Sequence, residues 1–206
     1  MTEKISYQKT NYQLELDRVL AALKNEARVP TLMLHACCAP CSSYVLEYLT
    51  EYFDITVLHY NPNTKPEAEY NKRGDALRYL IANQNSRYGL RLIESEWDGE
   101  RFDAIAAGRE TEAEGGSRCV SCYTLRIAET ARYALTEGSD YFCTTLSVSP
   151  HKDARRINEI GRSLESEGSA LWLPSDFKKR GGYNRSIELS HRLNLYRQNY
   201  CGCLPR

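Results

Sequence analysis

The sequence predicts a single α/β domain: a five-stranded parallel sheet, ordered 3-2-1-4-5, with helices on both faces. Three observations predict it. Short apolar runs alternate with longer stretches of helical periodicity, as parallel strands joined by crossover helices require. The 206 residues suffice for one good core and are short for two. No internal repeat or low-complexity segment interrupts the alternation.

Leu16, Val19, Leu20 and Leu23 recur at helical spacing and predict an amphipathic helix over 13–24, packed on the sheet, within an N-terminal helical extension of residues 1–30. Leu32 to Ala36 is the first strand, followed by a helix through Val45, Leu46 and Leu49. Ile55 to Tyr60 is the second strand, ended by the turn residues Asn61-Pro-Asn-Thr64. A long helix follows from Pro66, a residue suited to a first turn, through Leu77 and Ile81. Arg91 to Glu94 is the third strand. A short helix near Phe102 to Ala106 sits in an otherwise irregular stretch, and Glu114-Gly-Gly-Ser117 separates it from a helix over 118–136. Tyr141 to Leu146 is the fourth strand. A helix over 150–165, with Ser149 as its cap and Pro150 in its first turn, leads to a fifth strand at Leu171-Trp-Leu173. Residues 175–206 form a basic loop, a helix and a Cys-Gly-Cys tail. In this strand order the direction reverses between strands one and four, opening a crevice that residues 36–43 and 144–153 face.

Composition narrows the function. Hydrophobic residues make up 42% and charged residues 26%, which argues against disorder. No apolar stretch approaches the ~18 residues of a membrane span, and Met1-Thr-Glu-Lys-Ile-Ser6 lacks a signal peptide's apolar centre, so a cytoplasmic location is expected. Eight cysteines in a reducing compartment point to metal ligation or redox chemistry rather than a disulfide framework. Net charge is zero, which leaves only local basic patches for nucleic acid.

Cys119 and Cys122, three apart on a helix, share a face and suit a zinc site, an iron–sulfur cluster or a dithiol redox centre. Cys37 and Cys38 read as a ligand loop, because adjacent side chains converge only where the backbone leaves the pleat. Cys41 is a further thiolate, for a second metal or for packing, and Cys143 belongs to the core. Cys201 and Cys203 flank one glycine, close enough for an easily reduced disulfide or for two ligands at one metal. His151 either transfers protons or caps its helix, while Lys152 suits phosphate beside a helix N-terminus. His35, His59 and His191 are read as structural. Lys178, Lys179, Arg180 and Tyr183, on a glycine-jointed loop, suit a surface that follows a phosphate backbone and stacks a base, or a merely solvated loop.

Together, His35-Ala-Cys-Cys-Ala-Pro-Cys41, Tyr60-Asn-Pro-Asn63, Arg118-Cys-Val-Ser-Cys-Tyr-Thr-Leu-Arg126, Thr144-Thr-Leu-Ser-Val-Ser-Pro-His-Lys152 and Leu195-Tyr-Arg-Gln-Asn-Tyr-Cys-Gly-Cys203 resemble the QueH-type epoxyqueuosine reductases. The resemblance runs from residue 31 to the tail. It implies an adenine-nucleotide hydrolase-like (HUP) fold and reduction of the epoxide of epoxyqueuosine at the tRNA wobble position, with an electron donor still to be identified. It implies a 4Fe-4S cluster on Cys37, Cys38, Cys119 and Cys122, and a redox role for Cys201 and Cys203. Some family members have Asp where this chain has Cys41, a position that can hold an additional mononuclear iron. In the resulting scheme His151 or Asp153 supplies protons. The competing expectations are a tRNA-thiolating enzyme of the same fold, which needs a glycine-rich pyrophosphate loop where this chain has Ala36-Cys-Cys-Ala-Pro-Cys41, and a zinc-stapled RNA-binding module.

Overall fold

The computed structural model describes residues 10–24, 26–166 and 168–203. Positions 1–9 of the N-terminal extension and the last three positions of the tail, 204–206, lie outside the described residues.

The five strands are β1 (Thr31–His35), β2 (Asp54–His59), β3 (Leu90–Glu94), β4 (Tyr141–Thr144) and β5 (Leu171–Trp172), all parallel and ordered β3-β2-β1-β4-β5 as predicted. Among the described residues, seven α-helices accompany them: α1 (Tyr12–Leu23), α2 (Ala39–Leu49), α3 (Glu67–Ala82), α4 (Gly99–Ala106), α5 (Ser117–Thr136), α6 (Ala154–Ser163) and α7 (Gly182–Arg192). β1 is central and covered on both sides, which is why Leu32, Met33 and Leu34 form an unbroken apolar run instead of alternating with polar residues; each is essentially fully buried. Burying such a side chain contributes about 1.5–3 kcal/mol. The crossovers through α2 and α3 step one way along the sheet and those through α5 and α6 step the other. Right-handed connections therefore put the two pairs on opposite faces. α1 joins the same core through Leu16, Leu20 and Leu23, and touches both α2 (Tyr48 to Asp17) and α6 (Arg162 to Glu15).

Two predicted boundaries shift. β4 stops at Thr144, whose hydroxyl accepts from Leu146 N at 3.2 Å and draws the chain into a 3₁₀ turn over Thr145–Val148. The next helix starts at Ala154 rather than Pro150, because the Asp153 carboxylate accepts from the N–H groups of Arg155 and Arg156 and so becomes the cap. Ser149 caps only a turn, accepting from His151 N at 3.3 Å.

α7 lies directly against α2. A Cβ at Gly182 would sit 2.0 Å from the Phe177 carbonyl and 2.4 Å from the Tyr44 ring, so only glycine permits this approach. The bidentate pair from Arg185 to Glu47, at 2.9 and 2.8 Å, fastens the same two helices. This packing delivers the chain after α7 back across the carboxyl ends of the strands.

Candidate active site

At the end of β1 the backbone leaves the sheet and enters α2 with Cys38 extended at the cap and Pro40 in the first turn. That change of path brings the sulfurs of Cys37, Cys38 and Cys41 within 4.8 Å of one another, a group able to hold a metal ion. Thiolate is favoured at Cys37. The start of α2 presents its positive end, and the Thr145 hydroxyl donates to Cys37 Sγ at 3.2 Å. Hydrogen bonding from Cys38 and Cys41 pulls the Cys37 thiol well below its ordinary value, while that same sharing raises Cys41 and pushes Cys38 up to about 12.

Below this group the strand ends are tied together by buried polar side chains. His35 Nδ1 lies 2.7 Å from Thr144 Oγ1 and its Nε2 lies 3.0 Å from the Tyr60 carbonyl. Burial lowers it to about 3, so it is neutral and structural, as predicted. Asn61 Nδ2 donates to the Ala36 carbonyl at 2.9 Å. His59, stacked on Tyr70 with ring centres 4.3 Å apart, is likewise buried and neutral. His191 is exposed on α7.

Cys119 and Cys122 do share a face of α5, but among the described residues they are not part of the three-sulfur group. They line a second, narrow cavity together with Phe102, Arg118, Tyr123 and the tail cysteines Cys201 and Cys203. Cys119 Sγ accepts from Gly115 N at 3.3 Å. Burial pushes the Cys122 thiol up. Arg126 spans the two cavities: its guanidinium donates to Asn61 Oδ1 at 2.5 Å and to Cys122 Sγ at 3.9 Å, and its Nε lies 3.3 Å from His35 Nε2. One buried cation thus faces both thiol groups.

The larger cavity, about 890 Å³, has Cys37, Cys38 and Cys41 on one wall and Cys201 on another. Cys201 and Cys203 sulfurs are 3.3 Å apart, and Lys152 Nζ stands 4.0 Å from Cys201 Sγ. Hydrogen bonding from Cys203, then the Lys152 charge, lowers the Cys201 thiol to about 5, while Cys203 is raised as the donor of the pair. Burial alone would depress Lys152, yet the Cys201 thiolate and Glu114 hold it above its ordinary value. Arg73, Arg126, Lys152 and Arg197 line the cavity against one carboxylate, Glu114, which gives it a strongly positive interior.

His151 and Tyr183 line this cavity as well, whereas Asp153 does not; its carboxylate caps α6 and lies 3.5 Å from Arg156. Of the basic loop, Lys178 bonds to Asp176 at 2.8 Å, Arg180 pairs with Asp17, and Lys179 is exposed. Cys143 is fully buried in the core, as predicted. Sequence reasoning assigned no role to Asn61, Arg73, Arg126 or Arg197. Only Arg126 carried a usable signal, since it falls one helical turn after Cys122 on the same face of α5.

The family model described as "Epoxyqueuosine reductase QueH" matches residues 32–205. Three similar proteins carry that same description. The one from Staphylococcus epidermidis is 40% identical over 98% of this chain and 86% of its own length. That from Streptococcus pyogenes is 38% identical over 96% and 78%. That from Thermotoga maritima is 35% identical over 84% and 88%. Among solved structures, an NAD+ synthetase from Burkholderia pseudomallei overlaps 94% of this chain and 72% of its own, with a TM-score of 0.36 and 14% identity, too slight a likeness to bear on fold or function. The match across residues 32–205, together with relatives of this identity over nearly the full length, places the chain in the QueH family of epoxyqueuosine reductases, and it is an oxidoreductase.

Proposed function

We propose that this chain acts on epoxyqueuosine carried at the wobble position of a tRNA, converting the epoxide to the alkene of queuosine with release of water. The observation that supports this reading best is the positive cavity with three clustered sulfurs on one wall and a thiol of the tail pair on another. In this reading Cys37 and Cys38 of the three-sulfur group, together with Cys119 and Cys122 from the adjoining cavity beyond Arg126, would hold a 4Fe-4S cluster and Cys41 a further iron. Soft sulfur donors, one of them with its thiol drawn well below the ordinary value by its neighbours, fit such a group. When bound, the iron centres supply one-electron transfer and Lewis acidity.

The chain's own residues account for the rest. Removing the epoxide oxygen consumes two electrons and two protons. The Cys201 thiolate and Cys203 thiol release two electrons and one proton as they close to a disulfide, and a dithiol reductant reopens it by exchange. His151, on the cavity wall, passes the second proton to the departing oxygen. Lys152 keeps Cys201 ionised, and Arg197 together with Lys178, Lys179 and Arg180 takes phosphates while Tyr183 stacks a base. The test is deoxygenation of an epoxyqueuosine-bearing anticodon stem-loop by the anaerobically reconstituted protein. A Cys119→Ser, Cys122→Ser double variant is expected to lose turnover and iron together; retained turnover overturns the assignment.

A further inference from the structure

The tail from Leu195 to Cys203 has no regular secondary structure, so no strand ladder or helix holds its thiols in place. It is instead gathered onto one turn of α3. Glu69 and Arg73, at helical spacing i and i+4, form an ion pair of 2.9 Å with side chains only 10% and 7% exposed. Three side chains of the tail complete the coordination of that pair. Tyr200 donates to Glu69 Oε1 at 2.6 Å, and Tyr196 donates to Oε2 at 3.0 Å. With its amide oxygen turned toward α3, Gln198 accepts from Arg73 Nε and Nη1 at 3.1 and 3.2 Å.

Backbone contacts fix the register. Lys65 N donates to the Gly202 carbonyl at 3.1 Å, and a Cβ on Gly202 would meet Thr64 Cα and Oγ1 at 3.0 Å and Arg73 Nη1 at 3.3 Å. The Lys72 ammonium covers the Tyr196 ring at 3.7 Å. A buried ion pair is costly unless its remaining hydrogen-bonding capacity is met, and here the tail meets most of it, leaving only Arg73 Nη2 of the pair without a partner among the described residues. The two therefore stabilise each other. Undocking the tail strips Glu69 of two donors, and losing Glu69 strips the tail of its anchor. Holding the pair of sulfurs in one place is what a group that must exchange electrons inside the cavity and be reduced from outside requires, because the same contacts that position it also set how often it leaves.

We infer that Glu69 and Arg73 are positioning residues that clasp the Cys201-Gly202-Cys203 tail over the cavity, and that release of this clasp presents the two thiols to an external dithiol reductant. The inference rests on the redox role proposed above for Cys201 and Cys203. Neither Glu69 nor Arg73 exchanges electrons; both act through the tail.

The test uses the full reconstituted protein under anaerobic conditions, with the rate of iodoacetamide labelling read by mass spectrometry on the tryptic peptide of residues 198–206. A Tyr196→Phe, Tyr200→Phe double variant removes the two hydroxyls and leaves α3 intact. It is expected to label on the order of a hundredfold faster than the parent, since two hydrogen bonds to a charged acceptor are lost and each is worth about a factor of ten. It is also expected to turn over more slowly and to remain folded, with a melting temperature lowered by the two lost hydrogen bonds. Glu69→Gln, which keeps an acceptor oxygen without the charge, is expected to fall between. Unchanged labelling in both variants overturns the clasp, as does faster labelling with turnover intact. Full turnover in Cys201→Ser would overturn the redox role of the tail instead, and the labelling rates would still report whether α3 holds it.

Discussion

The sulfurs at the end of β1 and the Cys201 sulfur of the tail face the same cavity, but the β1 group and the tail pair are held by different kinds of structure. Cys37, Cys38 and Cys41 take their places from the backbone, where a buried central strand breaks into the capped start of a helix beneath His35, Thr144 and Asn61. Cys201 and Cys203 take theirs from side chains that bond to α3, a backbone hydrogen bond at Gly202, the Lys152 contact to Cys201 and the packing of Cys203 beside Phe102, Ala106 and Cys122. The first arrangement moves only if the core moves. The second moves if a few hydrogen bonds open, which costs far less than unfolding. In the proposed reading, a fixed group able to hold a metal and a releasable redox pair are built from the same residue type by changing what surrounds it.

Removing a sulfur from the fixed group has the largest expected effect. Cys37→Ser or Cys38→Ser is expected to lose iron and to reduce turnover by more than about 100-fold, beyond what mutating outer partners of a metal ligand costs. Iron analysis beside a turnover assay checks it. A variant that keeps its iron would move the metal away from β1.

Arg126→Met comes next. It leaves Asn61 Oδ1 without its buried donor, and each such orphaned group costs about 1–3 kcal/mol, measurable by urea unfolding. Unchanged stability with altered tail labelling would mean that Arg126 belongs with the movable region instead.

Lys152→Met should act on the tail alone. Iodoacetamide reacts with the thiolate, and the parent Cys201 is lowered to about 5, so its labelling is expected to persist until pH falls through that value. Without the neighbouring ammonium the thiolate is less favoured, the profile moves to higher pH, and labelling at neutral pH slows. The smallest effect is expected at Asp153. Asparagine caps a helix as well as aspartate does, so Asp153→Asn is expected to keep stability and turnover, whereas Asp153→Ala costs about 1 kcal/mol. Lost turnover in the asparagine variant would restore Asp153 as a proton source.

The contrast between the two regions also explains what the sequence made legible. β1 could be read because a strand buried on both faces must be continuously apolar, and its abrupt end in three cysteines marked a loop at a strand terminus. A parallel sheet with helices on both faces follows from the alternation of elements, whereas the order 3-2-1-4-5 is one doubly wound arrangement that alternation alone does not select. The start of α6 was misplaced because Pro150 suits a first turn, but the Asp153 carboxylate, three residues on, competes for the same role and wins. Cys119 and Cys122 were recognised as a pair from helical spacing alone. Their company with Cys201 and Cys203 depends on how the tail returns over the sheet. No local pattern announces that Tyr196 and Tyr200 meet a carboxylate 127 and 131 residues earlier, or that Arg126 reaches across to Asn61. Contacts of that kind exist only after the chain has folded.

The most direct test of the central claim is a single turnover without added reductant. The anaerobically reconstituted protein, with its tail fully reduced, is mixed with an excess of epoxyqueuosine-bearing stem-loop, and queuosine is counted against disulfide in the 198–206 peptide. The account predicts one Cys201–Cys203 disulfide for each queuosine formed, because the tail supplies both electrons. Queuosine accumulating while the tail remains a dithiol would contradict it.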